Sequence, residues 1–274
     1  MPTNKSILEL KREVKKHYRV LGRHDLPWRA VQTPYTVFVS EVMLQQTQVH
    51  RVLPKYTAFM KRFPTLPSLS SASLSSVYSY WQGLGYNRRA KYLRDAAKII
   101  VKEYRGVMPK EKRLLESLPG IGPYTAGAIL AFAYGNPGPF VETNLRTAVL
   151  YHVFRGKDKV RDEEVLSVLK QLRPRAGSES RNWYAALMDY GAHLKRSGVR
   201  LNQKSAHHTK QSKFEGSLRQ VRGATLRELR SAKKTEIALF ETLPYSKKKI
   251  RQALLQLNNE DLIRGTGGKW SLAL

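Results

Sequence analysis

The chain has 274 residues, of which 41% are hydrophobic, so it can bury a sizeable core, and this composition argues against wholesale disorder. Its 49 Lys and Arg against 21 Asp and Glu give a net charge of +28, which favours the phosphate backbone of a nucleic acid as partner; a solvated basic surface and an anionic membrane are the alternatives. Because cysteine is absent, disulfides, thiol nucleophiles and cysteine-ligated iron–sulfur clusters are excluded.

The hydrophobic pattern predicts a chain that is almost entirely helical. It contains no run of about 18 apolar residues and no signal-peptide pattern, so we expect a cytoplasmic, nucleoid-associated protein without a membrane partner. The first twenty residues alternate charges with leucine and valine, as an amphipathic surface helix does. Seven further segments have helical spacing: Thr36–Phe63, Leu74–Trp81, Ala90–Tyr104, Lys110–Leu118, Tyr124–Tyr134, Leu145–Phe154 and Asp162–Leu172.

The composition changes after Leu194. Residues 195–211 are basic, polar and nearly free of large apolar residues, which is typical of a linker or mobile loop. Beyond them, Phe214–Arg230, Thr235–Leu243 and Ser246–Asn258 have helical patterns, and residues 262–272 predict two short strands around a glycine turn. Three helices followed by a hairpin is the order of a winged-helix module.

A glycine-rich turn gives the strongest local signal. A helix is predicted to end at Leu118, Gly120 and Gly122 permit a tight turn, and Pro123 suits the first turn of the next helix. The exposed N–H groups of such a turn can hold one DNA phosphate without choosing a base. The alternative is an ordinary connection between two helices with glycine caps.

A glutamate lies inside an apolar helical run. Burial of Glu41 would raise its pKa and let it carry a proton near neutral pH, as a general acid needs. On a helix, Leu44 and Gln45 follow at three and four positions and project from the same face. An apolar group and an amide can fill the gap left by a flipped-out base. The alternative is a solvated glutamate at a helix edge.

A second candidate DNA-binding loop spans residues 83–89. Tyr86 follows a glycine and precedes Arg88 and Arg89, so an aromatic ring could stack on a base while the arginines hold phosphates. The alternative is a glycine-capped helix end with a packed tyrosine.

A second carboxylate, Glu142, precedes a predicted helix that Thr143 or Asn144 could cap and that begins near Leu145. The helix N-terminus would lower the pKa of Glu142 and keep it ionised. One protonated and one ionised carboxyl group suit glycosidic-bond cleavage, in which the first protonates the leaving group and the second supports positive charge on the sugar. The alternative is simple charge complementarity with the helix dipole.

Together these motifs resemble the MutY family of adenine DNA glycosylases, in the helix-hairpin-helix superfamily. The resemblance covers roughly residues 25–195 and lies in LPWR (26–29), TPYTVFVSEVMLQQTQV (33–49), FMKRFPTL (59–66), GLGYNRRAKYL (83–93), LPGIGPYTAGAIL (118–130) and YAALMDYGA (184–192). It implies an all-α, two-lobed helix-hairpin-helix fold. One lobe would combine 1–25 with 140–200, a six-helix barrel would span 26–139, and a basic linker at 201–212 would lead to a winged-helix-like module at 213–274.

The resemblance also implies roles for individual residues. Glu41 would protonate N7 of adenine, Asn144 would help hold the catalytic water, and Tyr124 in place of a lyase lysine implies a monofunctional enzyme. Three residues would line the adenine pocket: Trp28, Arg29 and Asp189. The residues that would wedge into or hold the DNA are Leu44, Gln45, Gln46, Tyr86, Arg88, Arg89, Leu118, Gly120 and Gly122.

Three departures from the family pattern bear on substrate choice. Glu142 stands where the family has aspartate, and one extra methylene moves the charge by about 1.5 Å. The cysteines of the iron–sulfur cluster are replaced by residues such as Lys195, Asn202, His207 and His208, so we expect no cofactor and no metal. A winged-helix-like segment follows Gln211, where MutY enzymes usually carry the domain that recognises 8-oxoguanine.

The sequence therefore predicts a monomeric, monofunctional glycosylase that releases adenine mispaired with guanine or 8-oxoguanine in double-stranded DNA. A thymine or uracil mismatch glycosylase is the alternative in the same superfamily. Glu41 favours adenine, because protonation helps a purine leave whereas a pyrimidine leaves as an anion. A non-catalytic DNA-binding protein is the alternative of another class.

Overall fold

A computed structural model describes residues 3–136, 138–206 and 213–273 of the chain. None of the helices in these ranges combines the length and hydrophobicity needed to cross a bilayer. The helices are α1 Asn4–Leu21, α2 Pro27–Ala30, α3 Pro34–Leu44, α4 Val49–Arg62, α5 Leu66–Ser70, α6 Leu74–Trp81, α7 Arg88–Glu103, α8 Lys112–Glu116, α9 Pro123–Tyr134, α10 Thr143–His152, α11 Asp162–Gln171, α12 Ser178–Arg196, α13 Leu218–Ser231, α14 Glu236–Thr242 and α15 Lys247–Asn259. The strands are β1 Lys234–Thr235, β2 Ile263–Thr266 and β3 Lys269–Leu272.

The predicted all-α class is confirmed, and most predicted helices are found within a few residues of their expected bounds. The segment Thr36–Phe63 is not one helix, because Gln46 adopts a left-handed backbone (φ 51°) and separates α3 from α4. Helix α12 was not among the predicted helices. Its buried residues Trp183, Leu187 and Leu194 recur at helical spacing and could have revealed it.

Contacts divide the chain into two units. The first comprises Met1–Glu41, Pro109–Ser117 and Ile121–Lys210, and the second comprises Val42–Met108, Leu118–Gly120 and Gln211–Leu274. The lobe, barrel and linker boundaries drawn from the sequence stay predictions.

The first unit has its core around α10 and α12. Leu145, Val149 and Leu187 are fully buried there. Gly191 of α12 has no side chain, and a Cβ at this position would lie 2.0 Å from the backbone oxygen of Asn144. The absence of a side chain at Gly191 therefore lets the N-terminal end of α10 approach α12 closely.

The second unit contains α5, α6 and α7 together with the C-terminal module. In this module α13 and α15 pack on a three-stranded antiparallel sheet of order β1-β3-β2. Ile263 pairs with Leu272 across β2 and β3, and two left-handed glycines, Gly267 and Gly268, form the turn between them. The predicted hairpin is confirmed, and β1 is a further strand that the pattern did not predict.

Candidate active site

Glu41 lies on α3 in the first unit and is only 4% exposed. The hydroxyl of Tyr124, on the first turn of α9, donates a hydrogen bond of 2.7 Å to Oε2 of Glu41. Burial raises the pKa of Glu41 to about 7, and the charge of Glu142 adds to this, while the Tyr124 hydrogen bond and the charge of Arg29 oppose it. The predicted rise in the pKa of Glu41 is therefore confirmed.

Tyr124 remains a proton donor across the physiological range. Burial raises the pKa of its hydroxyl well above the ordinary value, and the charges of Glu41 and Glu142 raise it further. Its ring also packs against Phe140, with ring centres 5.9 Å apart. The sequence placed Tyr124 at a lyase position but did not reveal its bond to Glu41.

Glu142 is itself the N-cap of α10, so the expectation that Thr143 or Asn144 would cap this helix is wrong. Its Oε1 accepts hydrogen bonds from the backbone N–H groups of Asn144 (2.6 Å) and Leu145 (2.9 Å). The predicted lowering of its pKa is also wrong. Burial raises the pKa of Glu142 and outweighs the lowering by the Lys195 charge and by the two backbone N–H groups.

Asn144 lies in the same cluster. Its Nδ2 is 3.3 Å from Oε2 of Glu142, and its Oδ1 is buried without a hydrogen-bond partner among the described residues. A buried amide oxygen of this kind can accept a hydrogen bond from a water molecule.

Asp189 is buried and held by two arginines. Arg29 donates to both of its carboxylate oxygens, at 2.8 and 2.9 Å, and the Arg23 side chain donates to Oδ1 at 2.7 Å. Burial raises the pKa of Asp189, but the hydrogen bond and charge of Arg29, followed by Arg23, bring it below the ordinary value. The structure thus joins Asp189 and Arg29 in one ion-pair cluster, and Arg23 is a member that sequence spacing could not reveal.

Trp28, on α2, is 7% exposed and belongs to the same unit as this cluster. The roles of Trp28, Arg29 and Asp189 as an adenine pocket stay predictions.

The glycine turn before α9 has part of the predicted backbone geometry. Gly120 is left-handed (φ 77°), whereas Gly122 is extended (φ −94°) and forms the N-cap of α9. Pro123 occupies the first position of the helix, as expected. Leu118 is buried at 3% exposure, and its contact with DNA stays a prediction.

The residues predicted to wedge into DNA lie in the second unit, where α3 ends. Leu44 is the last residue of the helix, so Gln45 and Gln46 lie in the turn beyond it and the expected helical relation of Gln45 to Glu41 is not kept. Nε2 of Gln45 donates to the backbone oxygen of Gly120 at 3.2 Å. The structure therefore connects this turn to the glycine turn.

Arg89 is buried and makes its hydrogen bonds within the protein. It is 8% exposed, and its guanidinium donates inward to the carbonyls of Val42 (2.7 Å) and Met43 (2.9 Å), to Thr47 Oγ1 (2.9 Å) and to the carbonyl of Gly85 (3.1 Å). This side chain satisfies carbonyls at the end of α3, and its contact with DNA stays a prediction.

Tyr86 and Arg88 are more accessible. The side chain of Arg88 is 51% exposed and lies 3.5 Å from Glu260 of the C-terminal module. Tyr86 is half-buried with a left-handed backbone (φ 47°), and its hydroxyl accepts a hydrogen bond of 2.6 Å from Arg219. Their contacts with DNA stay predictions.

No group of three or more His, Asp or Glu within the described ranges could hold a metal ion. Two of the residues that replace cluster cysteines make protein contacts instead. Nδ2 of Asn202 donates to Thr147 Oγ1 at 3.0 Å, and the charge of Lys195 acts on Glu142. His207 and His208 lie outside the described residues.

The glycine turn lies between two helices, α8 and α9, as in a helix-hairpin-helix motif. Residues 39–174 match the family described as HhH-GPD superfamily base excision DNA repair protein, and this stretch is an HhH-GPD domain. The resemblance predicted from the motifs is confirmed.

Curated relatives of this chain are named adenine DNA glycosylase. One from Mycolicibacterium smegmatis is 40% identical over 172 residues, covering 62% of this chain and 58% of that protein. One from Homo sapiens is 45% identical over 132 residues, covering 45% of this chain and 24% of that protein. Against two Buchnera relatives the chain spans about half of their length, 50% and 51%.

Solved structures show the same fold. A thermostable thymine-DNA glycosylase matches with a TM-score of 0.60 at 21% identity, covering 73% of this chain and 95% of that one. A non-covalent endonuclease III–DNA complex matches with a TM-score of 0.58 at 18% identity, covering 79% and 92%.

Proposed function

We propose that the protein is a monofunctional DNA N-glycosylase that hydrolyses the glycosidic bond of adenine mispaired with guanine or 8-oxoguanine. The observation that carries this proposal is the buried Glu41, whose pKa of about 7 suits an acid that must hold and release a proton near neutral pH. The names of its relatives and its HhH-GPD domain support the same activity.

The residues of the first unit suit the two steps of such a hydrolysis, which are the departure of the base and the attack of water on the sugar. Glu41 transfers its proton to N7 of adenine, and the base leaves as the bond from its N9 to the sugar breaks. The negative charge of Glu142 supports the oxocarbenium-like sugar. A water held by Oδ1 of Asn144 then attacks the sugar carbon. Because burial raises the pKa of Glu142, its carboxylate is also a better acceptor for the proton that this water loses.

Tyr124 supports the monofunctional assignment. A lyase step would need an amine to form a Schiff base with the sugar, and the position beside Glu41 holds a phenol that stays protonated. Its hydrogen bond orients the carboxyl group of Glu41. No cofactor enters this proposal.

The decisive experiment compares base release from duplexes carrying A opposite G, A opposite 8-oxoguanine, T opposite G and U opposite G. Alkali cleaves the strand wherever a base was lost. We expect release of adenine by the wild type and a loss of about 10²- to 10⁴-fold in Glu41→Gln, which keeps the size of the side chain but cannot donate the proton.

The same assay separates the competing functions. Release of thymine or uracil that survives Glu41→Gln would favour a mismatch glycosylase acting on pyrimidines. Tight duplex binding with no base released from any substrate would favour a non-catalytic DNA-binding protein and refute the proposed activity.

A further inference from the structure

Lys195 lies on the last turn of α12 in the first unit, one turn after Gly191. At Gly191 the helix approaches the start of α10 so closely that a Cβ there would lie 2.0 Å from the backbone oxygen of Asn144. Helical side chains project back towards the N-terminus and cover the residue four positions earlier. The side chain of Lys195 therefore extends towards the place where α12 meets the start of α10.

Lys195 is half-buried, whereas Arg196 beside it is exposed. Burial lowers the pKa of the Lys195 ammonium, the charge of Glu142 opposes this lowering, and the charges of Arg23 and Arg196 add to it. Two charges that are partly removed from water interact more strongly than two surface charges, because less solvent and salt screens them. The ammonium of Lys195 therefore has a stronger effect on a nearby carboxylate than a surface lysine has.

Glu142, the N-cap of α10, is the carboxyl group on which this charge acts. Its Oε1 accepts the backbone N–H groups of Asn144 and Leu145, which favours the ionised form. Burial raises the pKa of Glu142, and the charge of Lys195 opposes burial more strongly than either of these two hydrogen bonds does. The ionised form of Glu142 therefore depends on Lys195 more than on either bond of the helix cap.

Four elements bring charged or titratable groups to the surroundings of Glu142. These groups are Glu41 of α3, Tyr124 of α9, Arg146 of α10 and Lys195 of α12. The acid and the phenol supply no positive charge. Arg146 does, but its guanidinium donates to both carboxylate oxygens of Asp162, at 2.9 and 2.8 Å, so much of its charge is balanced there. Among the described residues, Lys195 is thus the main source of positive charge for Glu142.

We propose that Lys195 is a positioning residue whose ammonium keeps the buried carboxyl group of Glu142 ionised, so that Glu142 can support the positive charge on the sugar. The catalytic consequence rests on the proposed function, whereas the interaction of the two charges does not. The inference also connects two departures from the MutY pattern, because Glu142 replaces an aspartate and Lys195 replaces a cluster cysteine.

Three substitutions separate the charge of Lys195 from its packing. Lys195→Met removes the charge and keeps an unbranched side chain of similar helix propensity. Lys195→Arg keeps the charge. Arg196→Met is the matched control, because it removes an exposed cation from the same turn of α12 and makes the same change in net charge.

The first readout, urea unfolding, needs no catalysis and compares the wild type, Lys195→Met, Glu142→Gln and the double variant. Because the pKa of Glu142 is raised on folding, its ionisation costs stability as the pH rises, and Lys195 reduces this cost. At about pH 8, Lys195→Met should lower the folding equilibrium constant about tenfold more with Glu142 present than with glutamine there. At about pH 5 this difference should shrink, since more of Glu142 is protonated. The effect of Arg196→Met should not depend on residue 142.

The second readout is the pH profile of single-turnover adenine release. The rate should fall at low pH as Glu142 gains a proton and at high pH as Glu41 loses one. Lys195→Met should move the low-pH fall towards neutral pH and reduce the rate at about pH 6 by about tenfold, and Lys195→Arg should restore both. Arg196→Met should keep the wild-type profile. A purely structural defect would lower the rate at every pH without moving the profile.

The two readouts separate this inference from the proposed function. Interaction of Lys195 with Glu142 in unfolding, without adenine release by the wild type, would refute the proposed activity and support the pairing of the two charges. Absence of that interaction would overturn the inference whether or not adenine is released. A low-pH fall that Lys195→Met leaves in place, in an active enzyme, would overturn it as well.

Discussion

Glu41 and Glu142 are two buried acids of the first unit, and the charge of Glu142 acts on the titration of Glu41. Burial is the largest cause of the raised pKa in both, and the charge of Glu142 raises the pKa of Glu41 further. The helix N-terminus that Glu142 caps would by itself favour the ionised form. Loss of solvation exceeds that effect because the cap lies inside the protein rather than at its surface.

The raised pKa of Glu41 makes stability depend on pH. Its ordinary value of 4.5 applies to the unfolded chain and about 7 to the folded one, so the folded state holds the proton more tightly between these values. Stability is therefore lost as the pH rises from about 4.5 to about 7, by about 3 kcal/mol from this group. Glu41→Gln has no such proton, so its stability relative to the wild type should increase over this range. Urea unfolding at pH 5 and pH 8 gives the free energy of unfolding of both proteins. A difference between the two proteins that is the same at both pH values would contradict the prediction.

Glu142→Asp tests whether the longer acid limits the rate. Aspartate is a preferred N-cap, so we expect the variant to keep the bonds to the N–H groups of Asn144 and Leu145 and to remain within about 1 kcal/mol of wild-type stability. Moving the carboxylate by one methylene should raise single-turnover adenine release by about 10- to 100-fold. Glu142→Gln, which removes the charge, should lower the rate. A slower Glu142→Asp would show that the site is built around the glutamate.

At the level of elements, the local pattern predicted those helices whose ends are set by neighbouring residues. α6 begins after the Ser73 cap and ends at Trp81, as predicted, and α9 begins at Pro123 and ends before the left-handed Gly135. The end of α3 was not predictable, because Arg89 satisfies its last carbonyls from 46 and 47 positions away. No periodicity encodes a contact of that range.

In the candidate site, too, features set by neighbouring residues were predictable and contacts between distant residues were not. The burial of Glu41 follows from its apolar neighbours and was predicted. Its bond to Tyr124 spans 83 positions, and the arginines around Asp189 come from 160 and 166 positions away. The motifs indicated that these residues belong to one site. The hydrogen-bond partner of each polar atom could be identified only from the folded structure.

Arg89 should be a structural residue for the end of α3. Arg89→Ala removes the donors to two helix carbonyls and to Thr47 Oγ1 inside the second unit, and hydrogen bonds to charged groups contribute about 1.5–3 kcal/mol each. We expect a loss of about 3 kcal/mol or more in urea unfolding. Arg88→Ala is the matched control, because that side chain is half exposed and its ion pair should contribute less than about 1 kcal/mol. Equal effects of the two substitutions would contradict this role.

At the scale of the whole molecule, the positive charge is spread along the chain. Residues 213–274 contain 13 Lys and Arg and 6 Asp and Glu, a net +7 of the total +28, which leaves +21 on residues 1–212. The C-terminal module therefore has about its proportional share of charge. Any special contribution of this module to DNA binding must come from where its cations lie.

Three of those cations are consecutive at the start of α15, at positions 247–249. Its first turn holds Lys247 and Lys248, both exposed, with no acidic residue in that turn. Cations at a helix N-terminus, where backbone N–H groups are also unpaired, form a favourable site for a phosphate. On α1, by contrast, the exposed Lys11 and Lys15 alternate with Glu9 and Glu13, so that positive charge is partly neutralised.

We therefore expect the salt dependence of duplex binding to separate these two helices. Lys247→Gln with Lys248→Gln should reduce the slope of log affinity against log salt concentration by about 2, because each lost phosphate contact removes about 0.9. Lys11→Gln with Lys15→Gln makes the same change in net charge and should leave the slope nearly unchanged. Titrations of the 274-residue chain with a fluorescent duplex between about 50 and 200 mM salt, roughly the range over which such contacts are lost, measure both slopes. If the α15 variant keeps the wild-type slope, the module does not hold the DNA backbone through this helix.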